Sequence, residues 1–237
     1  MDSLTQMALG AAVGYAVAGK KIGKKSLLIG GLAGTIPDLD FLVSFPYNDK
    51  FAYLKTHRGF SHSLLFCLIS PVIIYKILHK FKPKNNNKII AWLAFWGFLT
   101  HTLLDCFTSW GTQLFWPLQN RIAFNSIFIV DPAYTIPLII GIIGALIAKT
   151  ITIQKKWIVT GLLISSSYLM LTLGIKQYIN NEFKTLFKQH NLSITRYTTR
   201  PSAFNTILWS TTAETNENYY YAMISLFDKK LPNKLFA

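Results

Sequence analysis

The sequence predicts a mainly α-helical membrane protein: a polytopic bundle of about five to six helices followed by a small α+β extramembrane appendage. Three observations lead there. The 237-residue chain is 51% apolar and only 14% charged, where a soluble domain carries about 25% charged residues, and its mean hydropathy is +0.32. Its lysines concentrate in three short linkers between apolar segments. After Ile175 the composition changes to short runs rich in Thr, Tyr, Ile and Trp, the mark of strands. Together these argue against a soluble enzyme and against a disordered chain. Cys67 and Cys106 are too few for a disulfide framework.

Taken in order, Leu4–Ala18 is rich in small residues and suits a first helix packed inside a bundle. Ala16-Val17-Ala18 resembles a signal-peptide cleavage site, but the residues before it hold Asp2 and no lysine, so no signal peptide is expected. Apolar segments at Ser26–Val43, Ser63–Leu78, Ile89–Leu104, Ile129–Ala148 and Trp157–Ile175 predict the remaining bundle helices. Several are shorter than the ~20 residues of a full span, which a bilayer accommodates by thinning or partial entry. Pro83 and Asn85-Asn86-Asn87 mark the turn after the third helix. Lys176–His190 predicts an amphipathic helix with Phe183, Leu186 and Phe187 on one side, and Ser193–Thr199, Thr206–Thr212 and Tyr219–Phe227 predict strands. The expected division is a bundle over 1–175 and an appendage over 176–237.

Charge predicts the orientation. The linkers Lys20–Lys25, His79–Lys88 and Lys149–Lys156, with Lys76 beside the second, carry 12 lysines. The intervening loops, Ser44–His62 and Cys106–Phe128, carry four cations: Lys50, Lys55, Arg58 and Arg121. Short loops rich in Lys and Arg stay cytoplasmic, so the lysine linkers are expected inside. The net charge of +14 is then mostly a topology signal, and no nucleic-acid partner is expected because no basic–aromatic motif stands out.

A few ionisable residues remain in or beside the apolar segments: Asp38 and Asp40, then His57, Arg58 and His62, then His101 and Asp105, with Asp131 opening the fifth helix. Such groups cost several kcal/mol to bury unless paired or bound to metal, which makes them functional suspects. With the lysine linkers inside, all of them fall at the outer membrane face. His101 and Asp105, four apart, share one face of a helix and can grip one ion, or merely hydrogen-bond each other. Pro37 breaks its helix, and in extended backbone Asp38 and Asp40 point the same way; the alternative is a pair of turn-capping aspartates. His57 and His62 need a turn at Gly59 to meet, after which Ser61 can cap the third helix. Asp131-Pro132 reads first as an N-cap with proline at N1. Pooled, three histidines and three aspartates fit a mixed imidazole–carboxylate metal site. Zinc is favoured, manganese, iron or magnesium are alternatives, and six ligands leave room for two ions.

The chain resembles the YdjM-like family of bacterial membrane-bound metal-dependent hydrolases, inner-membrane-associated and in some cases described as LexA-regulated. The resemblance rests on Met1-Asp2-Ser3-Leu4-Thr5-Gln6, the 34–40 stretch, His57-Arg58-Gly59-Phe60-Ser61-His62-Ser63, Thr100-His101 through Asp105 and on to Gln113, Ile129-Val130-Asp131-Pro132, and Pro201–Thr206. A shorter similarity, carried by the His-x-x-x-Asp pair His101/Asp105, is to zinc-dependent phospholipase C and the P1-type nucleases. The resemblance implies a hydrolase of the bacterial cytoplasmic membrane, and the lysine distribution predicts its site at the extracytoplasmic face. On this reading Asp38, Asp40, His57, His62, His101 and Asp105 bind metal and Asp38 or Asp105 accepts a proton from activated water. Arg58 holds an anionic oxygen of a phosphoester or lipid-linked substrate. The alternatives are a metal-ion or proton transporter, against which the clustering at one face and the lack of an inverted repeat weigh, and a non-catalytic metal-binding membrane protein.

Overall fold

A computed structural model of the chain describes residues 1–40, 42, 58–81 and 86–228, and among these six helices and a three-stranded sheet. Helix α1 (Ser3–Ile22) starts at Asp2, whose carboxylate accepts the Thr5 N–H at 3.0 Å. It ends at Gly23, where φ of 60° suits glycine best. Helix α2 (Lys25–Thr35) follows. Pro37 has no N–H to continue the ladder, and the chain tightens into a 3-10 turn over Ile36–Asp40.

Helices α1 and α2 lie almost backbone to backbone. A Cβ on Gly14 would sit 2.5 Å from the Ser26 carbonyl oxygen, and one on Gly34 would sit 2.5 Å from that of Gln6. Small residues allow this approach, and membrane helices use it where a bilayer offers no hydrophobic drive to associate. Helix α4 (Asn87–Phe107) seats Gly97 against Ala33 in the same manner. Helix α3 (Leu64–Phe81) turns Leu68, Val72, Ile73 and Ile77 outward. Helices α5 (Pro132–Ile147) and α6 (Ile151–Gln189) cross at Gly141 and Gly161. The bundle core gathers Leu9, Tyr15, Leu104, Ile127, Leu138 and Ile158.

Among the described residues, three helices have the length and apolarity of a membrane span, α3, α4 and α6, and α5 is a shorter apolar helix. The expectation of five to six helices therefore holds for the bundle, while fewer meet a span's criteria. Helix α1 is long enough, but its glycines, alanines and polar residues serve packing inside the bundle. Helix α2 is 11 residues long. Helix α6 also runs through residue 176 without a break. Its 39 residues at ~1.5 Å each make about 58 Å, roughly twice a ~30 Å hydrocarbon core.

The far end of α6 carries the appendage. Strands β1 (Arg196–Pro201), β2 (Leu208–Glu214) and β3 (Tyr219–Ser225) form an antiparallel sheet in the order β1-β2-β3. Trp209, Ala213, Ala222 and Ile224, on one face of the sheet, pack on Ile179, Phe183, Leu186 and Phe187. The two periodicities, two for strands and 3.6 for the helix, meet in one apolar core.

Candidate metal centre

Four side chains from three segments converge at one end of the bundle. Asp38 lies on the 3-10 turn after α2, His62 closes a second 3-10 turn, Phe60–His62, and His101 and Asp105 share one face of α4. One donor atom from each lies within 4.8 Å of all the others. His62 Nε2 is 3.0 Å from His101 Nε2 and 3.3 Å from Asp38 Oδ1. His101 Nε2 is 3.4 Å from Asp38 Oδ1, and Asp105 Oδ2 is 3.5 Å from His62 Nε2 and 3.8 Å from His101 Nε2.

The outer partners set the tautomers. His101 Nδ1 lies 2.6 Å from the Gly34 carbonyl oxygen, which can only accept, so Nδ1 carries the proton and Nε2 a lone pair. Ser61 Oγ donates to Asp40 Oδ2 at 2.9 Å and lies 2.9 Å from His62 Nδ1, which then donates to it. His62 Nε2 is thereby left as a second lone pair. Two imidazole lone pairs and two carboxylate oxygens at these distances repel unless positive charge sits among them. A cation among the four donors would relieve that repulsion.

The donor set passes a further test of fit. Bonds of ~2.0–2.2 Å at tetrahedral angles place donor atoms about 3.3–3.6 Å apart, and three of the five separations above fall within that span. Asp105 Oδ2 makes no hydrogen bond; it faces the two imidazoles and the Arg58 guanidinium. His62, His101 and Asp105 have no exposed side-chain surface, whereas Asp38 keeps 22%, so the cluster opens on the Asp38 side.

Arg58 is buried, with its Nε 3.2 Å from Asp105 Oδ2 and its Nη1 donating to Thr108 Oγ1 at 3.1 Å. Its φ of 59° is in the left-handed region, which costs a non-glycine residue roughly 1–2 kcal/mol. Two backbone hydrogen bonds hold it there: Arg58 N–H to Asp40 Oδ2 at 3.0 Å, and Gln113 N–H to the Arg58 carbonyl at 3.1 Å. The turn expected at Gly59 spans Arg58 and Gly59, the latter at φ −89° and ψ −113°.

Of the six expected metal ligands, four come together, a number suited to one ion. Asp40 lies one layer out, 3.6 Å from His62 Nδ1. In a 3-10 turn of three residues each, positions two apart diverge, so the two aspartates split where extended backbone would have paired them. His57 lies outside the described residues. Ser63, not Ser61, caps α3, its Oγ accepting the Phe66 N–H at 3.0 Å, because the Ser61 hydroxyl serves Asp40 and His62. Asp131 caps α5 through Ala133 and Tyr134 and accepts from Tyr168 at 2.8 Å. It is not part of the four-residue cluster. The sequence reading passed over Gln6, whose Nε2 donates to Asp105 Oδ1 at 2.9 Å, although a polar residue among the small ones of α1 was a visible signal. The Met1 amino group also lies against Asp105 Oδ1.

The model of the YdjM inner membrane protein family matches residues 1–179. The chain is 32% identical over 143 residues to the uncharacterized protein YfhP of Bacillus subtilis, covering 56% of this chain and 42% of YfhP. It is 30% identical over 114 residues to the inner membrane protein YbcI of Escherichia coli, covering 48% of this chain and 64% of YbcI. The matched region is therefore under two thirds of either relative's length. No solved structure matches the chain, and the comparisons add nothing to the short resemblance to phospholipase C.

Proposed function

The chain belongs to the YdjM inner membrane protein family, and on that footing we propose that it is an integral-membrane, metal-dependent hydrolase of phosphoesters or lipid-linked phosphates. The observation that carries this reading is the convergence of two imidazole lone pairs and two carboxylate oxygens in a buried cluster with one opening. Asp38, His62, His101 and Asp105 would hold a divalent ion, zinc by the imidazole share of the donors, which would supply Lewis acidity toward an ester oxygen and toward water. Gly34 and Ser61 orient the two imidazoles. Asp38, at the mouth, accepts the proton of the attacking water. Arg58 supplies positive charge beside the cluster for an anionic phosphoryl oxygen. A lipid substrate reaches the site by lateral diffusion, which favours it over a soluble ester.

The test is a screen of the zinc-loaded protein against phosphoesters and phospholipids, with the His101→Ala variant as control. Turnover in the wild type alone supports the reading. The orientation is tested with single cysteines at Asn86 and Asn120 in a background lacking Cys67 and Cys106. An impermeant thiol reagent added to intact cells should label position 120 alone.

One observation favours a second reading. Four protein donors fill a tetrahedral zinc site, and closed coordination is the habit of structural zinc. On that reading metal raises thermal stability and no substrate class is turned over.

A further inference from the structure

Gln6 is 1% exposed and sits on the face of α1 that packs against α2 and α4. Its Nε2 donates to Asp105 Oδ1 at 2.9 Å and lies 3.4 Å from the His101 carbonyl oxygen. An ionised carboxylate only accepts, so the amide nitrogen must face Asp105. Gln6 Oε1 is left buried without a hydrogen-bond partner. The amide is therefore oriented by Asp105 and not by its own full satisfaction.

The terminal torsion of an aspartate is broad and two-fold, so nothing intrinsic decides which oxygen faces the imidazoles. With Oδ1 held by Gln6 and the Met1 amino group, Oδ2 turns to Arg58 Nε at 3.2 Å and to His62 Nε2 and His101 Nε2. The α1 backbone cannot drift either. The Gln6 carbonyl oxygen occupies the place a Cβ on Gly34 would need, and the Gly34 carbonyl accepts from His101 Nδ1. A single close helix contact thus fixes both the amide that orients Asp105 and the carbonyl that orients His101.

We propose that Gln6 is a positioning residue of the metal centre, a neutral donor that locks Asp105 with Oδ2 toward the cation. The inference rests on reading the cluster as a metal site. A carboxylate at this position would repel Asp105, whereas the neutral amide donates to Oδ1 alongside the Met1 amino group.

The test uses the full chain in detergent, with Co²⁺ as the probe. Gln6→Met keeps the volume and removes the N–H donor, and Gln6→Asn, one carbon shorter, withdraws it. Both variants should bind Co²⁺ about 10–100-fold more weakly, the usual cost of losing an outer-shell partner. Both should also show an altered visible absorption spectrum when saturated with Co²⁺. A wild-type spectrum at saturation in either folded variant, even with a lowered melting temperature, overturns the proposal and leaves Gln6 a packing residue. His62→Ala and His101→Ala, run alongside, separate the two failures. Should they bind Co²⁺ as the wild type does, the metal reading itself is wrong; should they lose it while both Gln6 variants keep the wild-type affinity and spectrum, only the role of Gln6 is.

Discussion

The bundle and the appendage bury their residues in opposite ways. In the appendage, Ile179, Phe183, Leu186 and Phe187 meet Trp209, Ala213, Ala222 and Ile224, and no cluster of ionisable side chains lies among these residues. In the bundle, Gln6, Arg58, His62, His101 and Asp105 are as fully enclosed as the leucines. Apolar burial supports itself, at roughly 25 cal/mol per Å². Buried ionisable groups do so only through partners, and the bundle supplies those partners residue by residue. The difference teaches where to look for chemistry: where burial is costly and still present.

That contrast can be broken from either side. The largest effect expected is at Trp209, the largest fully buried side chain of the appendage. Trp209→Ala should cost about 3–5 kcal/mol, loosen the sheet to proteolysis and leave metal content unchanged. Loss of metal in this variant would show that the two cores act as one.

Arg58→Lys should come next, because it keeps the charge and loses the planar fork. Metal should stay bound while turnover with metal in excess falls by about 2–4 kcal/mol in transition-state terms, like the loss of an oxyanion donor. Wild-type turnover would reduce Arg58 to a partner of Asp105, which its 3.2 Å ion pair makes a concrete alternative.

Smaller still is Gly34→Ala, whose Cβ would lie 2.5 Å from the Gln6 carbonyl oxygen. Overpacking of this kind costs about 1–3 kcal/mol, and metal affinity should weaken with it because Gly34 also holds His101. Gly174→Ala in α6 has the opposite sign. Nothing lies within 4 Å of the added Cβ, so the change should raise stability by roughly 0.5–1 kcal/mol with metal affinity untouched. Thermal melts with and without metal read both variants.

Much of the site was legible in the sequence because its signals were local. His101 and Asp105 announce a shared helix face by their spacing, and Asp38 and His62 stand out as ionisable residues beside apolar runs. What was not legible depended on backbone type or on distant partners. The 3-10 geometry after Pro37 separates Asp38 from Asp40, and periodicity cannot distinguish it from extended chain. The choice of Ser63 over Ser61 as the cap of α3 follows from hydrogen bonds to Asp40 and His62, far off in sequence or hidden in a ring tautomer. The continuity of α6 was missed because a change of composition at 176 reads like an end, whereas an amphipathic turn can extend an apolar helix without a breaker. Helices α1 and α2 resemble spans by composition, yet what the glycines provide is backbone contact.

The central claim is that Asp38, His62, His101 and Asp105 hold one divalent cation. The most direct measurement is metal content per chain in purified wild-type protein and in His62→Ala and His101→Ala variants that keep wild-type helicity by circular dichroism. The account predicts one tightly held ion in the wild type and its loss in both variants. Full occupancy in either variant, or a wild type that takes up no divalent metal, would contradict it.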